Sequence, residues 1–92
     1  MEFLVEIDVA MPTHLPEDEL AELLANERRQ GREFLEQGRI KHIWRVPGAI
    51  RNVGVWEAAD ATELHEAIAS LPFFPWMTNK VTPLARHPIS GG

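Results

Sequence analysis

Residues 39–57, RIKHIWRVPGAIRNVGVWE, leave the chain little choice of conformation. Side chains suited to strands alternate on both sides of Pro47-Gly48, a dipeptide that turns a chain and interrupts regular structure. Period-two alternation around such a break predicts a β-hairpin. Ile40, His42, Trp44 and Val46 fall on one side of the first strand, and Lys41, Ile43 and Arg45 on the other. The return strand divides into Arg51, Val53 and Val55 against Asn52, Gly54 and Trp56. With Pro47-Gly48 as the whole loop, Trp44 stands opposite Arg51 and His42 opposite Val53, and opposite residues share a face. One face then carries Ile40, His42, Trp44, Arg51, Val53 and Val55. Apolar, titratable and cationic groups mix there in a way that a plain core does not.

The segments on either side cover that hairpin. Residues 2–10 alternate Phe3, Val5, Ile7 and Val9 with Glu2, Leu4, Glu6 and Asp8, which predicts a half-buried strand. A helix is predicted from Pro16 to about Gln37, with Glu17, Asp18 and Glu19 at its positive end and Gly38 to stop it. Its apolar stripe runs through Leu20, Leu23 and Leu24 to Phe34 and Leu35. Asp60 and Glu63 have the spacing of a capping box, so a second helix is expected to start there and bury Leu64, Ala67, Ile68 and Leu71 before Pro72 ends it. A fourth strand is predicted over 76–84 and a tail over 86–92. The order β-α-β-β-α-β within 92 residues implies one domain over 1–92. Its fold class is α+β and ferredoxin-like: a four-stranded antiparallel sheet with both helices on one face. The other face is expected to hold Leu4, Ile43, Trp56, and Trp76 or Met77, and nothing else in the chain is free to cover it. A homo-oligomer joined through the sheet follows as an expectation.

Composition narrows the function. The net charge is -5, and no Lys/Arg cluster marks a nucleic-acid surface. No apolar run approaches the ~18–20 residues that span a membrane, and MEFLVEID has no signal-peptide pattern. Cysteine is absent, which excludes disulfides and thiolate chemistry; a cytoplasmic location is expected. The four histidines form no i,i+4 pair and the acidic residues show no ligand spacing, so no metal is expected.

Glu27 is the residue most suggestive of chemistry. It falls inside the helical stripe, three and four positions after Leu24 and Leu23 and four before Gly31. Gly31 costs about 1 kcal/mol of helix propensity relative to Ala but leaves space beside the carboxylate. Burial raises a carboxyl pKa and suits it to proton transfer near neutral pH; at the edge of the stripe the same residue would simply reach water. His42 is a candidate acid or hydrogen-bond donor, though by itself such a residue is more often a satisfied core histidine. Trp44 is a candidate pocket wall or core residue, and Arg51 either grips a carboxylate or is a solvated strand-end charge.

KHIWRVPG at 41–48, Asn52, ELHEAIASLPFFPWM at 63–77 and ARHP at 85–88 together resemble the muconolactone Δ-isomerases. The resemblance spans nearly the whole chain. It implies a ferredoxin-like homo-oligomer, a decamer as in that family, acting without a cofactor in aromatic catabolism by the β-ketoadipate pathway. It also implies conversion of muconolactone to 3-oxoadipate enol-lactone, with the family's helix-borne acid at Glu27. On that reading Glu27 and His42 are catalytic, and Trp44, Arg51 and Asn52 bind the lactone. Arg51 would hold the acetate arm. Asn52 would reach the site from the opposite sheet face of a neighbouring subunit. The sequence departs from the family's pattern at Ala49, Ile50 and Val53, where members carry His, Tyr and Tyr, and at Arg51, where a small residue is usual. The alternatives are a non-catalytic oligomeric small-molecule-binding paralogue, or a lactone dehalogenase or small monooxygenase on a dimeric α+β barrel scaffold.

Overall fold

Phe3, Val5 and Ile7 alternate along the first strand, and all three are sealed from solvent. In the computed structural model, which describes residues 1–90, the other elements pack around them. The order is β1 (Glu2–Val9), α1 (Glu17–Glu36), β2 (Ile40–Arg45), β3 (Arg51–Glu57), α2 (Ala61–Ala69) and β4 (Met77–Leu84), with a 3₁₀ turn at Phe74–Trp76. The strands form one sheet ordered β2-β3-β1-β4, antiparallel at every junction. Phe34 of α1 and Leu64, Ala67 and Ile68 of α2 join the core of Phe3, Val5 and Ile7, so both helices cover one sheet face. This is the ferredoxin-like arrangement expected from the sequence. The predicted tail is followed to residue 90; positions 91 and 92 lie outside the described residues.

The helix ends follow from local chemistry. Gly38 adopts φ +75°, the left-handed conformation that stops α1. Arg39 N–H then donates to Phe34 O at 2.9 Å and Gly38 N–H to Leu35 O at 3.2 Å, a Schellman closure. At α2, Glu63 N–H donates to Asp60 Oδ1 at 2.8 Å, and Glu63 Oε2 accepts from Ala59 N–H at 2.8 Å. The capping box is therefore present, its return bond falling one residue before the cap.

The hairpin differs from expectation in two ways. Its loop is longer than Pro47-Gly48: Val46 N–H donates to Arg51 O at 2.9 Å. Trp44 pairs with Val53 rather than Arg51, and His42 with Val55 rather than Val53. The second difference matters more. A bulge between Ile40 and His42 adds one residue to β2. Side chains alternate strictly along a strand, so one extra residue exchanges the faces on its two sides. Ile40 pairs with Trp56 and is buried with it, whereas His42 and Trp44 turn outward.

β1 fixes which hairpin face is inside. Phe3 pairs with Trp56, Val5 with Gly54 and Ile7 with Asn52, so Asn52, Gly54 and Trp56 face the helices, as do Ile43 and Arg45 across from them. The expected outer position of Ile43, Trp56 and Met77 is thus corrected. Trp56 is only 1% exposed and meets Phe34 edge-on with centroids 5.7 Å apart. Met77 packs against the core, and Trp76 belongs to the 3₁₀ turn. The outer face carries Leu4, Val53 and Val55 with His42, Trp44 and Arg51. Leu35, expected in the apolar stripe of α1, is exposed.

Candidate functional site

Between α1 and the helix-facing side of the sheet lies a cavity of about 180 Å³. Drug-sized ligands occupy roughly 300–1,000 Å³, so this one suits a smaller molecule. α1 presents Leu24, Glu27, Arg28 and Gly31 to it; β2 and β3 present Ile43, Arg45, Asn52 and Trp56. Leu71 and Phe73, from the segment after α2, close the far wall. The site is thus assembled from parts distant in sequence, and its lining is mostly apolar.

Glu27 stands in this wall. Its helical spacing from Leu24 and Gly31 brings all three to the same cavity. Oε1 accepts a 2.8 Å hydrogen bond from Phe73 N–H, which leaves Oε2 without a protein partner among the described residues. Burial raises the carboxyl pKa above its ordinary value of 4.5, and the Phe73 N–H partly opposes that rise. No neighbouring cation enters the balance. Beside Gly31 there is open space: a Cβ built there would meet nothing within 4 Å.

Two further polar groups are unusual. Asn52 Oδ1 and Trp56 Nε1 are both buried without a hydrogen-bond partner, a costly condition for a donor or acceptor. Gly54 lies between them on the strand. A Cβ there would fall 2.8 Å from His42 O and 3.4 Å from Trp56 Nε1, so only glycine admits both the bulged neighbour and the indole.

The structure gathers some of the sequence-predicted residues and separates others. Glu27 and Asn52 line one cavity within one chain, so Asn52 needs no neighbouring subunit to reach it. His42, Trp44 and Arg51 stand on the opposite sheet face, away from the cavity of their own chain. His42 and Trp44 stack there with ring centroids 5.7 Å apart, and Arg51 Nη2 donates to Asp8 Oδ2 at 2.9 Å. The bulge is the reason for the first two, and the pairing of β3 with β1 for the third. Sequence reasoning missed Arg28, Arg45 and Trp56. Arg28 follows Glu27 on the helix. Alternation groups Arg45 and Trp56 with Ile43 and Asn52 on one side of the hairpin, but that side was expected to face away from the helices. Their observed partners, Asn52 and Ile40, follow from the shifted register and the bulge.

Comparison with known proteins gives a consistent answer. The sequence model of the family described as muconolactone delta-isomerase matches residues 1–90. A muconolactone Delta-isomerase from Acinetobacter baylyi is 34% identical over 90 residues, covering 98% of this chain and 94% of the relative. One from Rhodococcus opacus is 35% identical over 85 residues, covering 92% and 91%. A crystal structure of muconolactone isomerase superposes with a TM-score of 0.91 at 30% identity, covering 100% of this chain and 96% of that one. With family, relatives and shape in accord across residues 1–90, the chain belongs to the muconolactone delta-isomerase family.

Proposed function

We propose that this protein isomerises muconolactone to 3-oxoadipate enol-lactone, without a cofactor, in aromatic compound catabolism by the β-ketoadipate pathway. The observation that carries the reading is the Glu27 carboxylate, raised in pKa by burial, with one oxygen anchored on Phe73 N–H in a small apolar cavity. The reaction moves a ring double bond and needs one group that takes a proton and returns it. Glu27 Oε2 removes the proton from the ring carbon that bears both the lactone oxygen and the acetate arm. The electron pair delocalises through the ring double bond onto the carbonyl oxygen as a dienolate. The same carboxyl returns the proton to the carbon α to the carbonyl, so no atom is gained or lost overall. A base with a pKa brought toward the working pH performs both halves. The developing oxyanion requires a donor, and the Asn52 carboxamide supplies one from the sheet side of the cavity.

The assembly belongs to the same proposal. Leu4, Val53, Val55 and the stacked His42 and Trp44 form a face covered by another copy of the chain, in a homo-oligomer of up to decamer size.

Glu27→Gln tests the chemistry. The amide oxygen still accepts from Phe73 N–H, but the base is gone. General-base contributions are typically ~10²–10⁴-fold, so kcat for muconolactone is expected to fall by about that factor. Incorporation of solvent deuterium into the product should disappear in parallel. Turnover of the variant at the parent rate would show that Glu27 is structural.

A further inference from the structure

Arg28 and Arg45 are the two cations that line the cavity, one from α1 and one from the edge strand β2. Both are exposed and therefore stand at the opening rather than the floor. Among the described residues neither has an ion-pair partner. Lys41 is shared by Glu2 and Glu57, and Arg51 is paired with Asp8. Two unpaired arginines at the opening of an apolar cavity are conspicuous on a chain of net charge -5. Local positive charge at a cleft attracts anions whatever the sign of the whole molecule. Guanidinium groups match a carboxylate bidentately, through paired charge-assisted hydrogen bonds.

We infer that Arg45 and Arg28 form the carboxylate clamp of the cavity, and that they select lactones carrying a free acid on the arm beside the ring carbon facing Glu27. The inference rests on the isomerase reading and names how its substrate is chosen. The geometry gives the clamp a second use. The acetate arm is attached to the carbon that loses its proton, so a bound substrate brings a negative charge close to the Glu27 carboxylate. Glu27 has no cation of its own to offset that charge. Arginines at the opening hold the substrate carboxylate outward and balance it, while the ring enters far enough to reach Oε2.

The experiment separates recognition from turnover. A saturated γ-lactone with an acetate arm cannot undergo the double-bond shift, and its methyl ester differs only in charge. Calorimetry measures the binding of both to the parent and to Arg45→Met, Arg28→Met, the double variant and Arg51→Met. The parent is expected to prefer the acid by about 10–100-fold, the range that one charged hydrogen-bonded contact gives. The double variant should bind acid and ester alike, with ester affinity unchanged, which also shows that the cavity is intact. Arg51→Met should keep the parent's preference. With muconolactone, the Arg45 and Arg28 variants should raise KM much more than they lower kcat. Equal binding of acid and ester by the parent overturns the clamp, as does a preference lost in Arg51→Met but kept in the double variant. A parent that prefers the acid through Arg45 and Arg28 but does not isomerise muconolactone supports the clamp and refutes the isomerase reading.

Discussion

Desolvation at Glu27 has a cost in stability as well as a use in catalysis. Its folded pKa lies above 4.5 because burial disfavours the ionised form more than the Phe73 N–H favours it. The sign of the linkage follows. Below the unfolded value both states hold the proton and the carboxyl carries no penalty. As pH rises through the folded value, the native state must ionise a group that water stabilises better in the unfolded chain, and stability falls before levelling off. Glu27→Gln has no such loss. Urea denaturation between about pH 3.5 and 8 should show the variant gaining on the parent as pH rises, whereas parallel curves would mean that the carboxyl is solvated. The base works only when ionised, so kcat/KM of the parent should rise with pH through a midpoint above 4.5. Periodicity in α1 made this residue legible. Leucines and a glycine at helical spacing from Glu27 commit its side chain to the covered face. The Phe73 N–H was not legible, because a backbone donor 46 residues away leaves no pattern in sequence.

The hairpin shows where such reading stops. Its two strands, its turn and the even register shift that keeps His42, Trp44, Val53 and Val55 together are consistent with alternation. The side they face is not, because alternation carries no label for inside. The bulge at 40–42 and the partnership with β1 supply that label, and both depend on tertiary pairing. Gly54 records the outcome locally. Gly54→Ala puts a methyl group 2.8 Å from the backbone oxygen of His42, which is not a flexible neighbour. A loss of roughly 1–3 kcal/mol in urea denaturation is expected, in the range for overpacked interiors. Gly31→Ala provides the contrast. It meets open space in a helix interior and should gain up to about 1 kcal/mol, while narrowing the cavity. A similar response at the two glycines would contradict the close approach of β2 to β3.

At the scale of the molecule, β-α-β-β-α-β order fixes the layers, and the sheet is left covered on one side only. Trp44 is 55% exposed on the uncovered side. Light scattering at micromolar concentration should give a particle several times the 10.4 kDa of one chain. Trp44→Asp should reduce its size while far-UV circular dichroism stays unchanged, and a parent that remains monomeric would remove the proposed assembly. Among the described residues no helix is long and apolar enough to cross a membrane. The hydrogen bond from Phe73 to Glu27 also sets a timetable. A ribosome releases α1 early, but the peptide group that anchors its carboxylate emerges 46 residues later. Over that interval the growing chain carries a base without its anchor. A growing polypeptide of this kind cannot fix its base in place until the segment that follows α2 has emerged.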